Sequence, residues 1–118
     1  MEGPFISPGK KGAQAGTHIV KPDVEMFHRL QEAANGLYRL VDIAPEVEGA
    51  MEFIEELKDE VHISFAHTLA DYDTAKKGYD LGADHATHLY NAMPAFTHRA
   101  PGVIGAAHAS SHCFVELI

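Results

Sequence analysis

The chain has no tryptophan and a single cysteine, Cys113, among its 118 residues. One cysteine excludes an intramolecular disulfide and fits a reducing compartment such as the cytoplasm. Cys113 sits in an apolar run beside Phe114 and Val115, which predicts a buried, inert thiol. Positive charge is also scarce, with nine Lys and Arg against 17 Asp and Glu for a net charge of −8. No basic stripe is left to follow a phosphate backbone, so nucleic acid is not expected as a partner. No apolar run approaches the roughly 20 residues that span a bilayer, so no membrane partner is expected. The first residues also lack the charged-then-apolar order of a secretory signal. What is present is ordinary for a soluble domain with one core: 46% hydrophobic and 22% charged residues.

Both ends read as strands without surroundings. Met1 to Ile6 brings an apolar pair after only four residues, and Cys113 to Ile118 stops in mid-pattern. These ends predict a segment of a larger protein. Between them, residues 7–22 carry Gly, Pro and Lys without periodicity and read as a long loop of the functional kind. Val24, Phe27 and Leu30 recur at helical spacing after Asp23, and Asn35-Gly36 ends that helix. Leu37 to Ile43 predicts a strand. Val47, Ala50, Met51, Ile54 and Leu57 then mark a second helix with an acidic wet face. Val61 to Ala66 is the next strand, and a third helix runs from an Asp71 cap to Leu81 and Gly82. Asp84 to Thr87 is a short strand, Val103 to Ala109 a short helix, and Cys113 to Ile118 a last strand.

Strand and helix alternating at this spacing imply βαβ units and a parallel sheet. Doubly wound sheets and (β/α)8 barrels share the pattern. No Gly-x-Gly-x-x-Gly or Walker loop follows a strand, so the nucleotide-binding versions lose ground. A full barrel needs about 250 residues, which makes this chain a partial (β/α)8 TIM barrel, about half of one. Barrel active sites collect at the C-terminal ends of the strands, where Glu2, Glu46, His67 and His88 fall. One carboxylate and two imidazoles suit a divalent metal, Zn or Fe, with positions left for water and substrate. A lone histidine at a strand end is more often structural, and spacing alone leaves both readings equally open. His28 and His62 read as structural and His18 as an exposed loop residue. His85, His98, His108 and His112 carry no assignment.

Longer strings are more specific. Met-Glu-Gly-Pro-Phe-Ile-Ser-Pro opens the chain, followed by Lys-Lys-Gly-Ala-Gln, Ile-Ala-Pro-Glu, Thr-His-Leu-Tyr-Asn-Ala-Met and His-Arg-Ala-Pro-Gly. In this order they closely resemble the N-acetylglucosamine-6-phosphate deacetylase family of the amidohydrolase superfamily. The likeness covers essentially all of residues 1–118. Glu-Gly-Pro alone would be weak; the pairing of Thr-His-Leu-Tyr-Asn-Ala-Met with Arg-Ala-Pro-Gly is specific.

The resemblance implies metal-dependent hydrolysis of the acetamide of N-acetylglucosamine 6-phosphate, in amino-sugar catabolism. Glu2, His67 and His88 match the family's metal ligands. Gln14 falls where the family places a histidine or glutamine near the sugar. Asn91 and Ala92 match positions that hold the phosphate through an amide and a backbone N–H. Arg99 matches an arginine supplied across a dimer interface, implying a homo-oligomer. The family's general base is an aspartate on a late barrel strand, outside residues 1–118, so no catalytic base is assigned. The chain alone is therefore expected to lack useful turnover. Two other readings stay open: a non-catalytic half-barrel that binds metal or sugar phosphate, and a structural or interaction fragment.

Overall fold

The computed structural model describes residues 1–118. Four strands alternate with four helices in the order α1 (Val24–Ala33), β1 (Leu40–Ile43), α2 (Ala50–Leu57), β2 (His62–Phe65), α3 (Tyr72–Leu81), β3 (His85–Ala86), α4 (Gly102–His108) and β4 (Phe114–Val115). The strands form one sheet in the order β1-β2-β3-β4, with every neighbouring pair parallel. This is the βα succession of a partial TIM barrel. Residues 1–5 run along the free side of β1: the Asp42 N–H donates to the Met1 carbonyl and the Ala44 N–H to that of Phe5. No helix is long and apolar enough to cross a membrane.

Local chemistry sets the helix limits. Asp23 accepts from the Met26 N–H at 2.8 Å and Asp71 from the Thr74 N–H at 2.8 Å, so both helices start on side-chain caps. Asn35 and Gly36 take φ of 52° and 72° just past α1, closing it in the left-handed conformation. At the end of α3 the His112 Nε2 lies 3.0 Å from the Tyr79 carbonyl and 3.2 Å from that of Ala83. That contact gives His112 a structural role, tying the segment before β4 to the end of α3 and the turn that follows it.

Several predicted elements are shorter than their patterns, the strands Val61 to Ala66 and Asp84 to Thr87 narrowing to His62–Phe65 and His85–Ala86. The strand expected from Leu37 begins at Leu40, because the Gln31 side chain occupies both backbone groups of Tyr38, at 3.0 and 2.8 Å. The second helix begins at Ala50 after turns from Ala44 to Val47 and Val47 to Ala50. The last strand is confined to Phe114 and Val115, although Glu116 still donates to Ala86 and accepts from Leu89. Cys113 is half-buried rather than buried. Together with Leu89, Phe96, Ile104 and Val115 it lines an open groove of about 550 Å³.

The helix-facing side of the sheet is the core. Val41, Ile43, Ile63, Phe65 and Ala86 are inaccessible there, as the alternation of strand side chains requires. Phe53 of α2 meets Phe5 at a centroid distance of 5.1 Å and Phe27 edge-on at 5.9 Å. Phe65 lies 4.5 Å from Tyr79. Helix α3 comes so close that a Cβ at Gly78 would stand 2.4 Å from Phe65 Cζ and 3.3 Å from Ile54 Cδ1. Alanine ordinarily gains about 1 kcal/mol over glycine inside a helix. Here the buried ring has no room to withdraw, so Gly78→Ala is expected to cost about 1–3 kcal/mol net. Urea midpoints of the two proteins test this; an unchanged or higher midpoint would show that the ring yields.

Candidate metal centre

Parallel strands deliver their C-terminal ends to one rim. Glu2 lies on the segment beside β1, His67 two residues past β2, and His88 two residues past β3. Their ligand atoms lie within 4.8 Å of one another. His67 Nε2 is 2.7 Å from Glu2 Oε1, His88 Nε2 is 3.2 Å from His67 Nε2, and His88 Nε2 is 4.0 Å from Glu2 Oε1. Tetrahedral ligands at zinc bond lengths stand about 3.3 Å apart. The imidazole pair already has that separation, and the two carboxylate distances bracket it.

Proton accounting sharpens the fit. His67 Nδ1 lies 2.7 Å from the Lys10 carbonyl, which can only accept, so Nδ1 carries the hydrogen. In a neutral ring the bare Nε2 then faces a carboxylate oxygen and a second imidazole nitrogen. His67 Nε2 and the Glu2 carboxylate oxygen, two acceptors 2.7 Å apart, need a proton or a cation between them. A carbonyl holding the far nitrogen is the arrangement that orients metal-binding histidines. With that proton on His67 Nε2, its hydrogen bond lowers the Glu2 carboxyl below its ordinary range despite partial burial, with both histidines and Gln14 adding to the effect.

The backbone is strained here and relaxed almost everywhere else. Five non-glycine residues have positive φ; four of them are His67 (47°), His88 (37°), Tyr90 (78°) and Ala92 (51°). Such conformations cost about 1–3 kcal/mol each and collect at functional sites. His88 Nδ1 is the one buried side-chain polar atom without a partner, again typical of a working group rather than a packed one.

The other residues singled out from sequence are placed unevenly. Gln14 donates to Glu2 Oε1 at 3.4 Å, lying over Gly3, where a Cβ would come within 2.5 Å of its oxygen. Asn91 is exposed on the turn after His88, its side chain donating to the Leu89 carbonyl at 3.2 Å. The Ala92 carbonyl accepts from the Thr68 N–H at 3.0 Å, while its own N–H has no partner in the chain. Arg99 is exposed, forms no ion pair, and lines a separate cleft of about 370 Å³ with Asp71, Asp73 and Pro94. No contact joins it to the Glu2–His67–His88 cluster. Glu46, also at a strand end, is a bracket for the loop after β2, accepting from Thr68 Oγ1 and the Leu69 N–H.

Sequence reasoning missed Asp42. It is 2% exposed and accepts from Thr87 Oγ1 at 2.9 Å, which is in turn 2.8 Å from Ser64 Oγ. Strand register could have found it, since Asp42 pairs with Ser64 on the face away from the helices. Burial pushes its carboxyl up to about 6, against the Thr87 hydrogen bond. The folded state thus holds a proton that the unfolded chain has released. Stability from this group is complete below about pH 4 and lost as pH rises through about 6, by about 3 kcal/mol in all. Asp42→Asn keeps the acceptor and removes the titration. It is expected to stabilise the chain at pH 7.5 and change little at pH 4, as thermal melts at both values would show.

No family model matches the chain. It is 48% identical over 119 residues to N-acetylglucosamine-6-phosphate deacetylase of Bacillus subtilis, matching 100% of this chain and 30% of that protein. N-acetylgalactosamine-6-phosphate deacetylase of Escherichia coli O157:H7 is 33% identical, matching 100% of this chain and 32% of its own. The backbone superposes on a variant of the Mycobacterium smegmatis deacetylase in complex with N-acetyl-D-glucosamine-6-phosphate at a TM-score of 0.93 and 37% identity. That match covers 98% of this chain and 31% of that one. The chain thus spans about three tenths of the length of the relatives it matches. Along its whole length, in sequence and in backbone, the chain is a relative of the N-acetylglucosamine-6-phosphate deacetylases.

Proposed function

We propose that residues 1–118, as about half of an amidohydrolase barrel domain, carry the metal ligands and part of the phosphate site of a cytoplasmic N-acetylglucosamine-6-phosphate deacetylase. The convergence of Glu2, His67 and His88, with the His67 Nδ1 proton engaged by Lys10, carries this reading. In the whole enzyme the reaction is hydrolysis of the 2-acetamido group to glucosamine 6-phosphate and acetate. A divalent cation held by these residues, zinc or iron, would supply Lewis acidity toward the acetamide carbonyl and the attacking water. Glu2 and the two imidazoles bind it, and the Lys10 carbonyl keeps the His67 ring turned toward it. Gln14, hydrogen-bonded to Glu2, would meet the sugar. The free Ala92 N–H and the Asn91 amide suit a phosphate, as does the bidentate fork of Arg99, which is unpaired and available to a second copy of the chain.

Hydrolysis also needs a group that takes the water's proton and returns it to the departing amine. Glu2 is committed to the ligand set, Glu46 to Thr68 and Leu69, and Asp42 is buried and hydrogen-bonded. None is free for that task. The same observation favours a second reading for the chain taken alone, in which it binds metal and sugar phosphate without turnover.

Metal content and deacetylation of N-acetylglucosamine 6-phosphate, measured on one purified sample, test both readings. The expected result is one metal equivalent at this cluster, lost in Glu2→Gln and in His88→Ala, with no turnover. A deacetylation rate lost in Glu2→Gln would overturn the inactivity of the chain. Metal content unchanged in both variants would overturn the site.

A further inference from the structure

A second cluster of metal-capable side chains stands at the opposite end of the strands. His62 opens β2, His85 opens β3, and Asp84 immediately precedes β3. His62 lies five residues before His67, so at about 3.3 Å per strand residue the two clusters are roughly 15 Å apart. The Asp84 carboxylate reaches both rings at once: Oδ2 is 2.6 Å from His62 Nδ1 and Oδ1 is 2.8 Å from His85 Nδ1. One ligand atom from each residue falls within 4.8 Å of the others. Here too, two imidazoles and a carboxylate converge.

The sheet holds these three in place. His62 donates its N–H to Arg39, Asp84 donates to Ile63, and the Asp84 carbonyl accepts from Phe114. Strand register sets His85 opposite Ser64, two residues beyond His62, so both rings project from the same face. The rings lie 5.0 Å apart, and Phe114 stacks on His85 at 5.4 Å. His85 and Asp84 are mostly covered, whereas the His62 side chain is 60% exposed. Burial works to raise the Asp84 carboxyl, but hydrogen bonds from His85 and His62 hold it below its ordinary value, as an anion. A cleft of about 290 Å³, whose walls include His62, Asp84, Asp59 and Glu60, opens beside the cluster, with Arg39 and Lys58 also on its walls.

We propose that His62, Asp84 and His85 form a second divalent-metal site, independent of the Glu2–His67–His88 cluster and selective for zinc-like transition metals. Two nitrogens and one carboxylate oxygen favour copper, zinc, nickel or cobalt over magnesium and calcium, which prefer all-oxygen shells. Binding needs the ligand atoms to spread from 2.6–2.8 Å to about 3.3 Å, a movement the exposed His62 ring is free to make. Each neutral ring would hold its hydrogen on Nε2 and offer Nδ1 to the ion. The exposed side leaves room for water to complete a tetrahedron.

Titration of the metal-free chain with Zn²⁺ by calorimetry, and with Co²⁺ by visible absorption, decides the matter. The wild type is expected to bind two equivalents. His62→Ala and Asp84→Asn should each lose one and keep the other, while Glu2→Gln should lose the opposite one. His62 is exposed, so its variant tests the site without disturbing the core, and circular dichroism confirms its fold. Mg²⁺ should not compete for the second equivalent. An unchanged stoichiometry in both His62→Ala and Asp84→Asn would overturn the proposal and leave a hydrogen-bonded His–Asp–His bridge. A wild-type stoichiometry of one that falls to zero in Glu2→Gln would do the same, with the first site intact. One equivalent lost in His62→Ala but kept in Glu2→Gln would uphold this site and sink the other.

Discussion

His67→Ala is expected to weaken zinc binding at the rim cluster by more than 100-fold. Loss of a residue that merely orients a metal-binding histidine already costs about 10–100-fold. His67 is nearer the centre than that, standing within 3.2 Å of both other members of the cluster. Zinc at about 100 times the rim cluster's dissociation constant should stabilise the wild type by about 2.7 kcal/mol through that cluster, and this contribution should vanish in the variant, leaving only what the His62–Asp84–His85 site supplies. Melting curves with and without zinc give the difference. His67→Gln, which fills most of the space without an imidazole, separates lost ligation from lost packing. If the alanine variant melts lower but keeps the full zinc-dependent shift of the wild type, the rim cluster is not where the stabilising metal sits.

The second large effect is in the core. Phe53→Ala is expected to destabilise the chain by about 3–5 kcal/mol, much of the 5–15 kcal/mol available to a small domain. Phe53 is the ring that Phe5 and Phe27 share, so it clamps α1, α2 and the first extended segment together. Phe5 lies three residues from Glu2, so the loss should reach the metal. We expect a lower melting temperature and a zinc affinity reduced far less than in His67→Ala. A variant as stable as wild type would mean that the three rings do not form one packing unit.

Most of the fold was legible because its signals are local. Asp71 and Gly82 bounded α3 to within a residue, and the period of strand and helix announced a parallel sheet. The rim cluster was legible for a topological reason: parallel strands put the residues just past their C-terminal ends together, where His67 and His88 fall, and Glu2 lies on the segment beside β1. What stayed hidden depended on distant parts of the chain. Nothing around Tyr38 says that Gln31 will take its backbone groups and delay β1. Nothing around His112 says that it will reach back to α3. Asp42 looked like the polar residue of an ordinary strand until Ser64 and Thr87 were aligned beside it. His62 and His85 were read one at a time, and only the register of β2 on β3 brings them to one carboxylate.

The left-handed residues around the rim bear on how this sequence can drift. Ordinarily a surface turn tolerates almost anything, but at Tyr90 and Ala92 the main chain holds a conformation that β-branched side chains resist. In a saturation library, Ile, Val and Thr should be the residues missing at positions 90 and 92, with Gly and Asn persisting. Tyr90 is 62% exposed, so at position 90 that gap would owe little to packing. Inheritance at this rim would record the shape of the backbone as faithfully as the identity of the ligands.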